Sequence, residues 1–123
     1  MSVTETTTVD FMSVPKDDAT CLRLQIMDQL DWEDPQVHLE ILKDKINAYL
    51  GFIERKEWKK QFKFKFRKFK YANIHIVYLY DIPKVCEEFM QYVQDAVGKL
   101  GVLISAEIVD DEMRNRVLSL GGE

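Results

Sequence analysis

An α+β fold, built as a two-layer sandwich with a mainly antiparallel sheet and two helices on one face, is expected from three features of this 123-residue chain. Residues 20–30 alternate, with Leu22, Leu24 and Ile26 on one side and Arg23 and Gln25 on the other, the period-two signature of a half-buried strand. Leu39, Leu42, Ile46, Tyr49, Leu50 and Ile53 recur at steps of three and four, which is the apolar stripe of a helix. Aromatic and branched residues then alternate through residues 62–80 before a second helical pattern begins. Helices interleaved with strands that look able to form hairpins give this class.

The elements follow in order. Residues 1–8, MSVTETTT, read as a flexible lead. Residues 9–14 form a short strand. Pro15, Lys16, Asp17 and Asp18 supply turn chemistry, because proline fixes φ and aspartate caps its own backbone. The strand over 20–30 completes a hairpin. Asp34 and Pro35 open the first helix: aspartate is a good N-cap, and proline lacks an N–H where none is needed.

One straight strand over residues 62–80 would span about 60 Å at 3.3 Å per residue. A domain of this size is only about 30 Å across. Phe62, Phe64 and Phe66 are in phase with each other but out of phase with Phe69 and Tyr71, so the segment must break. Two strands are expected, about 61–68 and 73–80, with one bent strand as the alternative. Asp81, Ile82 and Pro83 start a second helix with Val85, Phe89, Val93, Ala96 and Leu100 as its stripe. Gly101 suits a left-handed residue at its end. Residues 102–109 are the last strand. The order is β-β-α-β(-β)-α-β, in a single domain over 9–109, and residues 110–123 are a polar tail able to form a short helix around Met113, Val117, Leu118 and Leu120.

Composition excludes several classes. Apolar residues make up 46% and charged residues 31%, values of a folded chain and outside the disordered range. Length rules out a multidomain enzyme, and two cysteines cannot make a disulfide scaffold. Cys21 and Cys86 are expected as reduced thiols in a cytoplasmic protein. The longest apolar runs fall far short of the roughly 20 residues of a membrane span. The first nine residues have neither the basic nor the apolar region of a secretory signal.

The net charge of −4 conceals a strong segregation. Residues 55–70 hold nine basic side chains and one acid, a local +8, while residues 1–54 sum to −7 and residues 71–123 to −5. As a strand, the segment would send Phe62, Phe64 and Phe66 inward and leave Lys63, Lys65, Arg67 and Lys70 as a wet face. That basic face is the candidate docking surface, for an acidic protein partner or a second copy. A nucleic-acid reading needs lysine and phenylalanine on the same face, and alternation separates them.

Catalytic signatures are sparse. The five glycines never cluster ahead of a helix as a phosphate cradle requires. Asp28, Asp31, Glu33 and Asp34, with His38, are the candidates for a metal-dependent enzyme, but acids also gather at helix N-termini because the dipole favours them. His75 lies opposite Ile74 and Ile76 on a strand. The expectation is a binding protein of the immunity or accessory kind, with no cofactor and no metal.

Residues 30–34, Leu-Asp-Trp-Glu-Asp, the following His38, Leu39 and Leu42, and the run Lys45-Ile46-Asn47-Ala48-Tyr49-Leu50 with Phe52-Ile53-Glu54 carry a resemblance. With Val9-Asp10-Phe11 ahead of them, they resemble a family of small bacterial proteins of unknown function over residues 9–54. The resemblance implies bacterial origin, a cytosolic location and a shared fold. It implies no activity and no site residue.

Overall fold

The computed structural model describes residues 11–121, the side chains of Phe62 and residues 117–121 excepted. The expected lead over 1–8 and the first two residues of the first strand lie outside that range. The elements run β1 (Phe11–Ser13), β2 (Cys21–Asp28), α1 (Pro35–Glu54), β3 (Tyr71–Tyr78), α2 (Lys84–Val97), β4 (Val102–Ile108) and α3 (Asp111–Gly121). The class is α+β, with four strands in the sheet order β1-β2-β3-β4.

The expectation of a mainly antiparallel sheet is corrected. Only β1 runs antiparallel to its neighbour, with Met12 opposite Leu24. β3 lies parallel to β2, Leu24 opposite Ile74 and Ile26 opposite Ile76, and parallel to β4, Ile74 opposite Ile104. The reason lies in the connections. Parallel neighbours need a crossover of a dozen residues or more, and α1 and α2 each supply one. The burial of β3 fits its central position. Ala72 and every residue from Ile74 to Leu79 are buried, whereas an antiparallel strand with one wet face would alternate.

A second correction concerns residues 61–68, which form no strand. After α1, Lys56 adopts a left-handed conformation at φ 53°, and two short 3-10 helices follow, Glu57–Lys60 and Phe62–Phe64. The N–H groups of Gln61, Phe64 and Arg67 donate to the carbonyls of Trp58, Gln61 and Phe64 at 3.2, 2.9 and 3.0 Å. A chain climbing in steps of three cannot keep every second side chain on one side. Phe64 is therefore buried at 8% exposure, while Phe66, expected in the core, stands 85% exposed. Trp58 and Phe69 meet edge to face, ring centroids 4.9 Å apart, with Phe64 beside them. The order is thus β-β-α-β-α-β, followed by α3.

One core joins these elements. Leu22, Leu24 and Ile26 of β2, Ile74 and Ile76 of β3, and Val102 of β4 pack with Leu42, Ile46 and Tyr49 of α1 and Cys86, Val93 and Val97 of α2. α1 begins as its sequence dictates: the Asp34 side chain accepts from the Val37 N–H at 3.3 Å, with Pro35 at the first helical position. The Tyr49 hydroxyl crosses from α1 to donate to the Gln25 carbonyl at 2.6 Å. The stripe of α2 is rotated from its expected position. Its buried residues are Cys86, Val93 and Val97, so Ala96 is turned outward within the helix, and exposed Leu100 lies beyond the helix end on a 3-10 turn, Gly98–Leu100.

Gly101 then takes the left-handed conformation, φ 77°, that lets β4 start in line with β3. No atom stands within 4 Å of where a Cβ would be, so Gly101→Ala tests backbone strain alone. The substitution should lower stability by about 1 kcal/mol, read as a lower midpoint in urea with an unchanged slope.

Candidate functional site

Parallel strands put their ends on common rims. The segments following β2, β3 and β4, residues 29–34, 79–83 and 109–110, share one rim with the start of α3, and Asp31, Glu33, Asp34, Asp81, Asp110, Asp111 and Glu112 lie there. The link from α1 to β3, residues 55–70, lies at the other rim with its nine basic residues. The charge segregation along the chain thus becomes a molecule with an acidic end and a basic end. The acids lie near the N-terminus of α1 and the bases near its C-terminus, the arrangement the helix dipole favours.

At the acidic rim, Asp28 ends β2 and is 1% exposed. Its Oδ1 accepts from the Leu30 N–H at 3.1 Å, and its Oδ2 meets His38 Nε2 at 2.5 Å. His38, 2% exposed, uses its other ring nitrogen as a donor to the Asp31 carbonyl, Nδ1 to O 2.9 Å. Trp32 stacks on the imidazole, centroids 3.6 Å apart and planes 16° from parallel. Both nitrogens of His38 are therefore committed, and the ring ties the start of α1 to the end of β2. Asp31 Oδ1 caps the Glu33 N–H at 3.1 Å and Asp34 caps α1. The structure thus brings Asp28 and His38 together and turns the side chains of Asp31 and Asp34 to backbone capping, with Glu33 supplying a capped N–H. Among the described residues, no three potential metal ligands converge.

His75, 7% exposed, joins β3 to β4. Its Nδ1 meets Ser105 Oγ at 2.7 Å and its Nε2 meets Glu107 Oε1 at 2.8 Å, while Asn73 Nδ2 donates to Ser105 Oγ at 3.0 Å. A serine, an imidazole and a carboxylate in this order have the make-up of a nucleophile, its base and an orienting group. Acyl transfer also requires free donors for an oxyanion. Ser105 sits in mid-strand, opposite His75 in the β3–β4 ladder, and its hydroxyl already accepts from Asn73. The cluster works as a polar clamp across the two strands. Sequence reasoning missed it because the register pairing residue 75 with residue 105 leaves no local trace.

Eight of the nine basic residues in 55–70 are exposed. Lys63, Lys65 and Lys70 are among them, on a loop and not on the strand face expected for them. Arg67 is half-buried: its Nη2 donates to the Ala19 carbonyl at 3.3 Å, and its guanidinium lies 5.6 Å from the Phe69 ring centre. Lys65 Nζ stands 5.6 Å from the ring of exposed Phe66, so cation and aromatic occupy one surface. Glu57, the single acid of the stretch, is bound by Arg55 at 2.6 Å and by Lys60 at 3.7 Å. The Arg55 hydrogen bond holds the Glu57 carboxyl below its usual range.

Nearby, the loop joining β1 to β2 is tied down by Asp18. Its Oδ1 accepts from the Thr20 N–H at 2.9 Å and the Thr20 hydroxyl at 2.5 Å, and its Oδ2 accepts from the Tyr71 hydroxyl at 2.5 Å. The Thr20 hydroxyl, then Tyr71, holds the Asp18 carboxyl below its ordinary value of 3.8 and, reciprocally, Asp18 raises the Tyr71 phenol. Cys21 and Cys86 are buried and unbridged, and burial pushes the Cys86 thiol up to about 11.

Two helical crossovers on a mixed four-stranded sheet, with histidine clamps at its rim and on its face, define an α+β protein with opposed acidic and basic ends. No helix among the described residues is long and apolar enough to cross a membrane. The chain belongs to a family of unknown function (DUF6572), whose pattern matches residues 1–110. The match takes in all four strands with α1 and α2, stops short of α3, and extends well beyond the 9–54 span that carries the resemblance. No curated protein and no solved structure matches the chain.

Asp28→Asn leaves the buried imidazole without its carboxylate and should cost about 3 kcal/mol, read in urea denaturation with the fold retained. Asp18 makes a separate, pH-dependent contribution. Its carboxyl is lowered in the folded state, so the stability it adds is complete above its unfolded value near 3.8 and is lost as pH falls through the folded value. Asp18→Asn should therefore flatten the acid limb of a plot of stability against pH and leave the limb above neutrality unchanged.

Proposed function

We propose that the protein is a non-enzymatic interaction module that docks an acidic protein partner on the loop between α1 and β3, in the bacterial cytoplasm. Lys63, Lys65, Arg67 and Lys70 are the contact residues, with Phe66 among them. The observation that carries this reading is the concentration of nine basic residues and one acid on a single loop whose central aromatic is 85% exposed. Clustered lysines steer an acidic surface inward and speed encounter, while an exposed aromatic supplies the desolvated anchor on which binding energy concentrates. The two unbridged, buried cysteines fit a reducing compartment. The reaction of such a module is binding, and it calls for no cofactor.

The proximity of Lys65 to the Phe66 ring favours a second reading, single-stranded nucleic acid, since cations and stacking faces then share one surface. A compact acidic partner can contact the basic loop alone, whereas an extended phosphate backbone that continues past it meets the repulsion of the acidic rim.

Labelled polyglutamate and labelled oligothymidine, titrated in turn with fluorescence anisotropy as the readout, separate the two. Polyglutamate should bind, and a Lys63→Glu/Lys65→Glu variant should weaken that binding about tenfold while its thermal unfolding stays within a few degrees of the parent. Arg67 is left in place because it also holds Ala19 and Phe69. Tighter binding of oligothymidine, falling steeply with salt and lost in Phe66→Ala, would transfer the assignment to nucleic acid. Binding of neither probe would remove both.

A further inference from the structure

β4 is an edge of the sheet, and only half of that edge is covered. The Ala72 N–H donates to the Gly101 carbonyl at 3.1 Å, and the Val109 N–H donates to the Tyr78 carbonyl at 3.0 Å. With Ala72 opposite Val102, the backbone groups of odd-numbered residues face β3, and those of Val102, Ile104, Ala106 and Ile108 face away. Gln94 of α2 satisfies the first of these: its Nε2 donates to the Val102 carbonyl at 3.2 Å and its Oε1 accepts from the Ile104 N–H at 2.8 Å. Beyond it, the Ile104 carbonyl, both groups of Ala106 and the Ile108 N–H have no partner among the described residues. Ala106 is exposed and Ile108 is 41% exposed. Proteins commonly blunt such an edge with charge, proline or a bulge; this half has neither proline nor bulge, and its one charge, Glu107, is held by His75 of the neighbouring strand.

We infer that this half-edge pairs antiparallel with the same strand of a second copy, about a two-fold axis through Ala106. The Ala106 N–H then donates to the carbonyl of Ala106 of the partner subunit, and the Ile108 N–H to the carbonyl of Ile104 of the partner subunit, each bond occurring twice by symmetry. An isologous contact demands that the strand suit itself, and in this register it does. Ile104 faces Ile108 of the partner subunit, Leu103 faces Val109 of the partner subunit, and the one charge, Glu107, faces the hydroxyl of Ser105 of the partner subunit. Leu103, 50% exposed, and Ile108 both gain apolar neighbours. Gln94 withholds the Ile104 N–H in either register, but moving the axis to Ser105 also sets Glu107 against Leu103 and leaves one symmetry-related pair of bonds, from the Ala106 N–H to the Ile104 carbonyl, in place of two. Moving it to Glu107 sets two carboxylates face to face, which is destabilising. The opposite edge is poorer, since β1 shows only three residues among those described. The result is a continuous eight-stranded sheet that does not involve the basic loop.

Sedimentation equilibrium of the full chain should give a dimer whose dissociation constant changes little with salt. Ala106→Pro removes an outward N–H that β3 does not use, so the fold survives while the dissociation constant rises about tenfold or more. Ile108→Lys, at an exposed position, should do the same and decides the matter if the proline variant fails to fold. Lys63→Glu/Lys65→Glu should remain dimeric. A monomeric parent protein, or a dimer unmoved by the edge variants, or one lost only on charge reversal in the loop, would overturn the inference.

Discussion

β3 has to be buried on both faces, and the rest of the molecule is arranged around that requirement. A strand with Ile74, Ile76 and Tyr78 on one side and His75 and Val77 on the other cannot lie at an edge. Flanking it with β2 and β4 in parallel demands two crossovers long enough to hold helices, which α1 and α2 provide. The parallel sense in turn gathers the strand ends on two rims, separates acids from bases, and fixes which backbone groups of β4 look outward. Charge polarity, core and free edge are three results of one pairing pattern.

The two histidines show what burial costs and how it is offset. An imidazole and a carboxylate withdrawn from water must find partners in the protein. Asp28 and His38 find each other, and their remaining polar atoms are met by the Leu30 N–H and the Asp31 carbonyl. The cluster fixes the β2-to-α1 turn at the rim where an open parallel sheet is most accessible. His75 does the same in mid-sheet through Ser105 and Glu107. In both, each ring nitrogen has a partner within the protein, so the imidazole ties separate elements of the fold together.

What could be read from the sequence was local. Asp34 and Pro35 announce α1, the alternation over residues 21–28 announces β2, and Gly101 announces a left-handed turn, each through a neighbour within a few residues. The parallel sense could not be read, since the same apolar pattern suits either direction until the partner strand is known. The phenylalanine–lysine segment misleads for a different reason. Phe62, Phe64 and Phe66 fit a period of two, while Trp58, Gln61, Phe64 and Arg67 fit a period of three. The backbone hydrogen bonds follow the second. The exposure of Lys63, Lys65 and Lys70 follows from charge under either period, but the exposure of Phe66 does not. Asp28 and His38 stand ten residues apart across a turn, and only the turn's shape joins them.

Gln94 has a wider meaning for how the edge of a sheet can be closed. A glutamine amide offers one donor and one acceptor in nearly the spacing of a peptide group, so it can imitate one residue of a neighbouring strand. Placed on α2, it acts as a molecular terminator, setting how far a growing ladder can run along β4 before meeting a false neighbour. Without it the sticky length would reach from Ala106 back to Val102, enough to accept strands in several registers and to favour open-ended stacking over a closed pair.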